Sequence, residues 1–392
     1  MEGFSMSKKG LKRVATFSLE GDGFSIHTFE LTYQYTERSW MYLKDRLYRE
    51  LEKRDPSEKA WIYAENKKRD RYICTRYSGK GVRIILEHNT GRNGHESYYV
   101  RMVVNPRKLL DPDASYLGIL KPEKDAGKKI CKAFRKLFKG TPFDSDMEIY
   151  YLSRLDLCTN VRCNNSKIFR ELIRASQKLP TPAKFERKYY HDTDKGRERR
   201  YNKHYICFAC GSYELVMYDK TYQITEEGLA LSYEKLPKGV LRYEMRMKRT
   251  LIRGFENRLR TNENVELLNY FINNADVLLC DVFLDHFSPA TYMREPELME
   301  HIWRGPYQDY VRYGMQHLVE NVVRFGSVDE ALAKTKWDKD EQKAYLKRFK
   351  ELGLSPIPLR KNFSAMQMPT PSLILYRLYL EKPVSVEYIR SK

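Results

Sequence analysis

Three short segments of the sequence place a tyrosine, two carboxylates and several basic residues at alternating positions. The segments are Tyr205–Lys220, Tyr151–Leu157 and Leu241–Lys248. Successive side chains of a β-strand point to opposite faces of its sheet. Each segment therefore predicts a strand with one apolar and one polar face, and the polar faces carry Tyr218, Lys220, Arg154, Asp156, Arg242, Glu244 and Arg246. If the strands share a sheet with these faces aligned, the polar side chains meet in one candidate site.

The chemistry open to such a site is the attack of a tyrosine on a phosphodiester. A phenol has a pKa near ~10, so this attack requires a nearby base, cation or metal ion. Asp156 and Glu244 are suited to holding a divalent ion, which would polarise the phosphate. Arg154, Lys220 and Arg242 could stabilise the charge that develops around phosphorus. The alternative is that the same residues form ordinary cross-strand ion pairs.

The composition of the 392-residue chain predicts a folded, basic protein with a polyanionic partner. The formal net charge is +19 and the pI is about 9.4. The 30 Tyr and 17 Phe residues supply stacking surfaces among the basic residues, which favours nucleic acid over a membrane surface. The alternative is a basic protein without such a partner.

The sequence predicts a cytoplasmic protein. No stretch approaches the ~20 apolar residues that a membrane helix needs, and the basic N-terminus is not followed by the apolar segment of a signal peptide. Seven scattered cysteines are typical of free thiols in a reducing compartment. Cys207 and Cys210 do not predict a zinc site, because positions i and i+3 of a strand lie on opposite faces. The eight histidines are dispersed and predict no metal cluster.

Hydrophobic periodicity predicts an α+β protein with antiparallel sheets built from two β-α-β-β-like halves, followed by a helical C-terminal region. The first half begins with a hairpin over Leu11–Tyr35 that turns at Glu20–Gly23, then a helix over Trp40–Leu51. The second half follows the order strand, helix, hairpin and strand over Ile149–Val161, Ser166–Lys178, Lys203–Lys220 and Val240–Arg249. The predicted domains are residues 1–145, 146–254 and 255–392.

Basic segments outside the three strands are further candidates for DNA binding. The predicted helix Lys121–Lys139 carries eight basic residues, and its basic face either is simply solvated or follows phosphates. Gly326–Gly353 resembles a helix-turn-helix that could read duplex DNA, although a plain helical hairpin would show the same pattern. A basic loop covers Lys184–Lys203. The predicted DNA contacts are Arg187, Lys188, Arg197, Arg199, Arg200, Arg242, Arg246, Lys339, Lys343 and Lys347.

Four short motifs occur in an order that resembles the Rep_trans family of rolling-circle plasmid replication initiators, which looks related to the nicking relaxases of conjugative elements. They are a strand-to-helix signature at Val100–Leu109, a strand at Ser153–Leu157, a hairpin end at Tyr218–Lys220 and a strand at Leu241–Arg249. Together they span about Tyr98–Arg249. A phage replication protein of similar build fits the same motifs.

The resemblance implies that Tyr218 is the nucleophile that nicks one strand of origin DNA and stays attached to its 5′ phosphate. It also implies that Asp156 lies at a Mg²⁺ or Mn²⁺ site, with Glu244 as a further acidic candidate. Family members often carry a second acid four residues after this aspartate, where this chain has Asn160. The implied partners are single-stranded origin DNA, a host helicase and polymerase, and a second copy of the chain. The competing interpretation is a non-catalytic, sequence-specific DNA-binding protein.

Overall fold

The computed structural model describes residues 14–52, 61–66, 69–91, 93–188, 203–230 and 235–389. A large antiparallel sheet is followed by mostly helical segments, which confirms the predicted α+β class. The strands are β1 (Val14–Tyr35), β2 (Trp61–Asn66), β3 (Arg69–Cys74), β4 (Val82–Thr90), β5 (Glu96–Val104), β6 (Tyr151–Arg162), β7 (Glu186–Lys188), β8 (Tyr205–Ala209), β9 (Tyr213–Asp219), β10 (Val240–Lys248), β11 (Thr291–Met293), β12 (Gln367–Pro369) and β13 (Val384–Ile389). The α-helices are α1 (Glu37–Glu52), α2 (Pro106–Leu110), α3 (Ala126–Phe138), α4 (Ser166–Ser176), α5 (Lys220–Glu226), α6 (Arg249–Leu259), α7 (Asn264–Asn273), α8 (Ala275–His286), α9 (Glu295–Arg304), α10 (Asp309–Phe325), α11 (Val328–Ala333), α12 (Lys339–Glu351) and α13 (Pro371–Tyr379).

The order of strands in the large sheet joins the two predicted halves side by side. The order is β2-β3-β4-β5-β1-β6-β10-β9-β8-β7, so the halves meet where β1 pairs with β6. In the β9–β10 pair, Tyr218 lies opposite Arg242 and Val216 lies opposite Glu244. Directly opposed residues of an antiparallel pair share a face, so the alternating polar residues of these two strands do point the same way.

β1 is one continuous strand of 22 residues, so the predicted hairpin that turns at Glu20–Gly23 is wrong. Residues Val14–Leu19 pair with β13, and residues Phe29–Tyr35 pair with β5. Gly23 lies between the two paired parts with a φ of 87°, a left-handed conformation that glycine adopts at little cost. The chain needs no reversal there, because each part of the strand finds its partner far away in the sequence.

The apolar face of the sheet forms a buried core on the side opposite the polar residues. Helix α1 packs against this face through Trp40, whose ring lies 5.5 Å from that of Tyr98. The Trp40 indole also donates a 3.2 Å hydrogen bond to the carbonyl of Tyr99. Buried residues on this face of the strands include Leu31, Val100, Met102, Leu155, Leu157, Leu215, Met217, Tyr243 and Met245.

The chain forms two compact units. The first comprises the described parts of Gly21–Val161 and Lys184–Leu279 and contains most of the large sheet. The second comprises Arg162–Ala183, the described part of Met1–Glu20 and the described part of Cys280–Lys392. The domain boundaries after residues 145 and 254 stay predictions.

The helices of the second unit begin and end at the predicted capping residues. Gly326 ends α10 with a φ of 94°, and the Ser327 side chain accepts a hydrogen bond from the first turn of α11. A complete capping box joins Asp338 and Glu341 at the start of α12. Two helices therefore flank the predicted turn, as the capping residues indicated.

The cysteines and the apolar helices bear on two further predictions from the sequence, free thiols and the lack of a membrane helix. All seven cysteines are free thiols. No single described helix is long and apolar enough to cross a membrane, and α7 and α8 meet that test only as a pair, with a bend of 65° between them.

Candidate functional site

The hydroxyl of Tyr218 donates a 2.7 Å hydrogen bond to Glu244 Oε1. Tyr218 is near the end of β9, and Glu244 is in the middle of the neighbouring strand β10. His27 Nδ1, from β1, lies 2.9 Å from the same oxygen. The other oxygen of Glu244 pairs with Arg246 at 2.9 Å. Strands from both halves of the chain therefore meet at this carboxylate.

Asp156, on β6, lies beside this carboxylate and completes a group that could hold a metal ion. His27, Asp156 and Glu244 each offer one ligand atom, and the three atoms lie within 4.8 Å of one another. Arg154 donates two 2.8 Å hydrogen bonds to the Asp156 carboxylate, and Thr28 donates a third, of 2.5 Å. Imidazole and carboxylate groups are ligands that divalent metal ions accept.

The site lies in the interior of its unit, whereas the alternation predicted an open polar face. Tyr218 is 4% exposed, Asp156 is 2% exposed and Glu244 is 0% exposed. A period of two residues shows which side chains share a face, but it does not show which segment covers that face. Here the segment that contains Leu117 contacts the polar face through its main chain.

Arg242, a predicted DNA contact, lies in the interior of the site. It is fully buried, and its guanidinium donates to Asn160 Oδ1 at 2.7 Å and to the Leu117 carbonyl at 2.9 Å. The Asn160 amide donates to the same carbonyl at 2.6 Å and to Asp22 at 2.9 Å. Asn160 therefore holds Arg242 beside Tyr218 and lies outside the group that could bind a metal ion.

Lys220 reaches the site from a helix, although the alternation placed it on the strand of Tyr218. It is the first residue of α5, and its buried ammonium lies 5.8 Å from the centre of the Tyr218 ring. The ammonium donates a 2.8 Å hydrogen bond to Gln223. Burial, together with repulsion from Arg242, lowers the pKa of Lys220 to about 7.

Burial and neighbouring charges shift the acids and bases of the site in different directions. Burial and the Glu244 carboxylate raise the pKa of Tyr218 well above 10, so the phenol is protonated at neutral pH. Burial alone would raise the pKa of Glu244, but the charge of Arg246 and the hydrogen bond from His27 hold it well below its usual value. Burial raises the pKa of Asp156. It also lowers the pKa of His27 to about 3, so this ring is neutral.

The other predicted DNA contacts are distributed over several elements. Arg246 belongs to the site itself. On β7, Lys188 pairs with Glu214 at 2.7 Å and Arg187 lies over the Phe208 ring at 5.0 Å. The residues on α12 are exposed, and those in the basic loop lie outside the described residues; these two sets are Lys339, Lys343 and Lys347, and Arg197, Arg199 and Arg200.

His27 is the site residue that sequence reasoning missed. The dispersed histidines predicted no metal cluster, and no local spacing marks His27 as different from the others. It reaches Glu244 because β1 pairs with β6, and β6 pairs with β10. Only this order of strands could have identified it.

Comparison with known proteins assigns no family to the chain. No protein-family model matches the sequence, and no curated protein matches it. The resemblance to the Rep_trans family therefore rests on the four short motifs and stays a prediction. Three of these motifs lie on the strands that form the site, β6, β9 and β10.

Proposed function

We propose that the protein initiates replication by nicking one DNA strand through tyrosine transesterification, with Tyr218 as the nucleophile. The observation that carries the proposal is the 2.7 Å hydrogen bond from the Tyr218 hydroxyl to Glu244. The same carboxylate belongs to the group of His27, Asp156 and Glu244. A phosphate that entered this site would have a tyrosine, a proton acceptor and a set of metal ligands as its neighbours.

The balance of charge at the site supports a phosphate ligand. Four basic side chains face two carboxylates when Lys220 is counted as charged. A phosphodiester carries one negative charge, so its binding would reduce the excess of positive charge in the interior. The side chain of Arg154 is 39% exposed and provides a point of entry from solvent. The charged residues are Arg154, Lys220, Arg242 and Arg246, and Asp156 and Glu244.

In the proposed reaction, Tyr218 Oη bonds to phosphorus as the bond from phosphorus to the 3′ oxygen breaks. Glu244 is placed to accept the phenolic proton. Its low pKa makes it a weak base, so the positive charges of Arg242 and Lys220 must stabilise the negative charge that develops on the phenol oxygen. The 3′ oxygen takes up a proton from water. The phosphotyrosine conserves the phosphodiester bond for later rejoining and frees a 3′-OH for a polymerase.

Mg²⁺ or Mn²⁺ is the ion that we propose for the group of His27, Asp156 and Glu244. Mg²⁺ favours carboxylate oxygens, and Mn²⁺ also accepts an imidazole. The neutral His27 ring keeps one nitrogen lone pair for a ligand bond. Such an ion would supply positive charge to a phosphate oxygen. It would compete for the two carboxylates with Arg154 and Arg246, which already pair with them.

Formation of a covalent protein–DNA adduct tests the proposal. Labelled single-stranded oligonucleotides that tile the DNA flanking the gene are incubated with the protein and Mg²⁺ or Mn²⁺, and adducts are resolved on a denaturing gel. We expect an adduct that peptide mapping places on Tyr218 and that Tyr218→Phe abolishes. The matched control is Tyr205→Phe, because Tyr205 lies opposite Tyr218 on β8, with its ring 6.1 Å away. An adduct on Tyr205 would overturn the assignment.

A non-catalytic DNA-binding protein is the second candidate. The observation that favours it is the burial of Tyr218, which is only 4% exposed. Attack on DNA requires the segment around Leu117 to move away from the polar face, whereas binding through surface charge requires no such movement. If oligonucleotides bind tightly and neither metal ion yields an adduct with any of them, this second function is correct.

A further inference from the structure

Helix α3 has one face that is entirely basic. A helix turns by ~100° per residue, so the basic residues of α3 and its C-terminal cap fall within about one third of the circumference. All of them are exposed, and they are Lys128, Lys129, Lys132, Arg135, Lys136 and Lys139. The opposite side carries the buried Ile130, Phe134 and Phe138. The helix therefore separates a core face from a face of positive charge.

Half of the six basic residues on this face have no ion pair among the described residues. Lys128 pairs with Asp125, and Lys129 pairs with Glu123. Arg135 reaches Asp146 only at 4.0 Å. The segment 121–139 contains eight basic and two acidic residues, a net charge of +6 out of +19 for the chain. Within this segment, five lysines form no ion pair with a described residue, and they are Lys121, Lys124, Lys132, Lys136 and Lys139.

Helix α3, which carries the basic face, packs tightly within the unit that contains Tyr218. The backbone N–H of Gly127 donates a 2.8 Å hydrogen bond to the side chain of Asn269 on α7. A Cβ atom at Gly127 would lie 2.5 Å from the Val265 carbonyl, so α3 and α7 approach at backbone distance. On the same buried side, the Phe134 ring lies 6.1 Å from that of Tyr150. The lysines therefore project from a helix that is packed in place.

We propose that this face of α3 binds the phosphate backbone of duplex DNA. The inference rests on the proposed function, because it takes DNA as the substrate. Lysine ammonium groups act as point charges that neutralise phosphates without reading the bases. The exposed face has no aromatic side chain on which the bases of a single strand could stack. The stripe from Lys128 to Lys139 is roughly 16 Å long at ~1.5 Å per residue, which is about five base pairs of duplex.

Helix α12 is the competing surface, since the sequence predicts that Gly326–Gly353 reads duplex DNA. The α12 segment has five basic and three acidic residues, a net charge of only +2. Lys343 and Lys347 each pair with an acid of the same helix. An ion pair must be broken or shared before such a lysine can neutralise a phosphate. The electrostatic affinity for duplex therefore resides more in α3 than in α12.

The test compares two triple variants at Lys132, Lys136 and Lys139, which lie in line along the helix. One variant replaces all three lysines by glutamine, and the matched control replaces all three by arginine, which keeps the charge. The affinity of the full chain for a fluorescent duplex oligonucleotide is measured by anisotropy between about 50 and 200 mM salt. Each lost phosphate contact should reduce the slope of log affinity against log salt by ~0.9, so the glutamine variant should lose about 2.7. The arginine variant should keep the wild-type slope.

Two results would overturn the inference. One is a wild-type slope in the glutamine variant, and the other is an equal loss in the arginine variant, which would show that charge is not the cause. Circular dichroism confirms that both variants are folded. The glutamine variant should still form the Tyr218 adduct on a short single-stranded oligonucleotide. If the wild-type protein forms no adduct, the proposed nicking fails, whereas the salt slopes still decide whether α3 binds duplex DNA.

Discussion

Replacement of Lys220 by methionine should remove much of the dependence of stability on pH. In the folded protein, burial and Arg242 lower the pKa of Lys220 to about 7, whereas in the unfolded chain it is ~10.4. Between these values the unfolded state binds more protons, so the free energy of unfolding of the wild type rises with pH. A full proton difference contributes about 1.4 kcal/mol per pH unit, and titration of the folded state reduces the gain from pH 7 to 9 to about 2 kcal/mol. Methionine has a similar length and no charge, so the variant loses this gain.

Urea unfolding at pH 7 and pH 9, followed by circular dichroism and tryptophan fluorescence, measures the effect. The quantity compared is the change in unfolding free energy between the two pH values, in the wild type and in Lys220→Met. Lys238→Met serves as the control, because Lys238 is exposed in the same unit, and it should behave like the wild type. If Lys220→Met shows the same rise as the wild type, the buried ammonium does not have a lowered pKa and the reasoning about the site charge is wrong.

Two further predictions concern the metal group and the packing of the second unit. Asp156→Asn should lower the affinity for Mn²⁺ by at least about tenfold in calorimetry, because loss of a charge at ligand distance costs more than ~1.4 kcal/mol. The affinity of this variant for duplex DNA should stay within about threefold of the wild type. Unchanged Mn²⁺ affinity would exclude Asp156 as a ligand. Gly314→Ala should destabilise the protein by about 1–3 kcal/mol, because a Cβ there would lie 2.2 Å from the Tyr345 hydroxyl. The matched control Gly254→Ala, at a helical position with open space, should stabilise the protein by up to ~1 kcal/mol. If the urea unfolding midpoints of the two variants move in the same direction, the close contact at Gly314 is contradicted.

Local features of the fold were predictable from the order of residues along the chain. Alternation placed Tyr218 and Glu244 each on the polar face of its own strand, because a strand has a strict period of two. The ends of α10 and α12 were also predictable, since Gly326 and the Asp338–Glu341 box satisfy backbone groups within a few residues. The basic face of α3 was also predictable, from the run of basic residues in the sequence of the helix.

The contacts between distant segments were not predictable from local patterns. His27 enters the site because β1 lies beside β6, and that pairing depends on partners far apart in the sequence. The burial of Arg242 likewise depends on a loop carbonyl, that of Leu117, which no periodicity marks. Lys220 was predicted on the strand of Tyr218 but lies in the first turn of α5, where Asp219 caps the helix. A residue's own neighbours determine the direction of its side chain, whereas its burial, charge and partners are set by contacts that form only when the whole sheet is assembled.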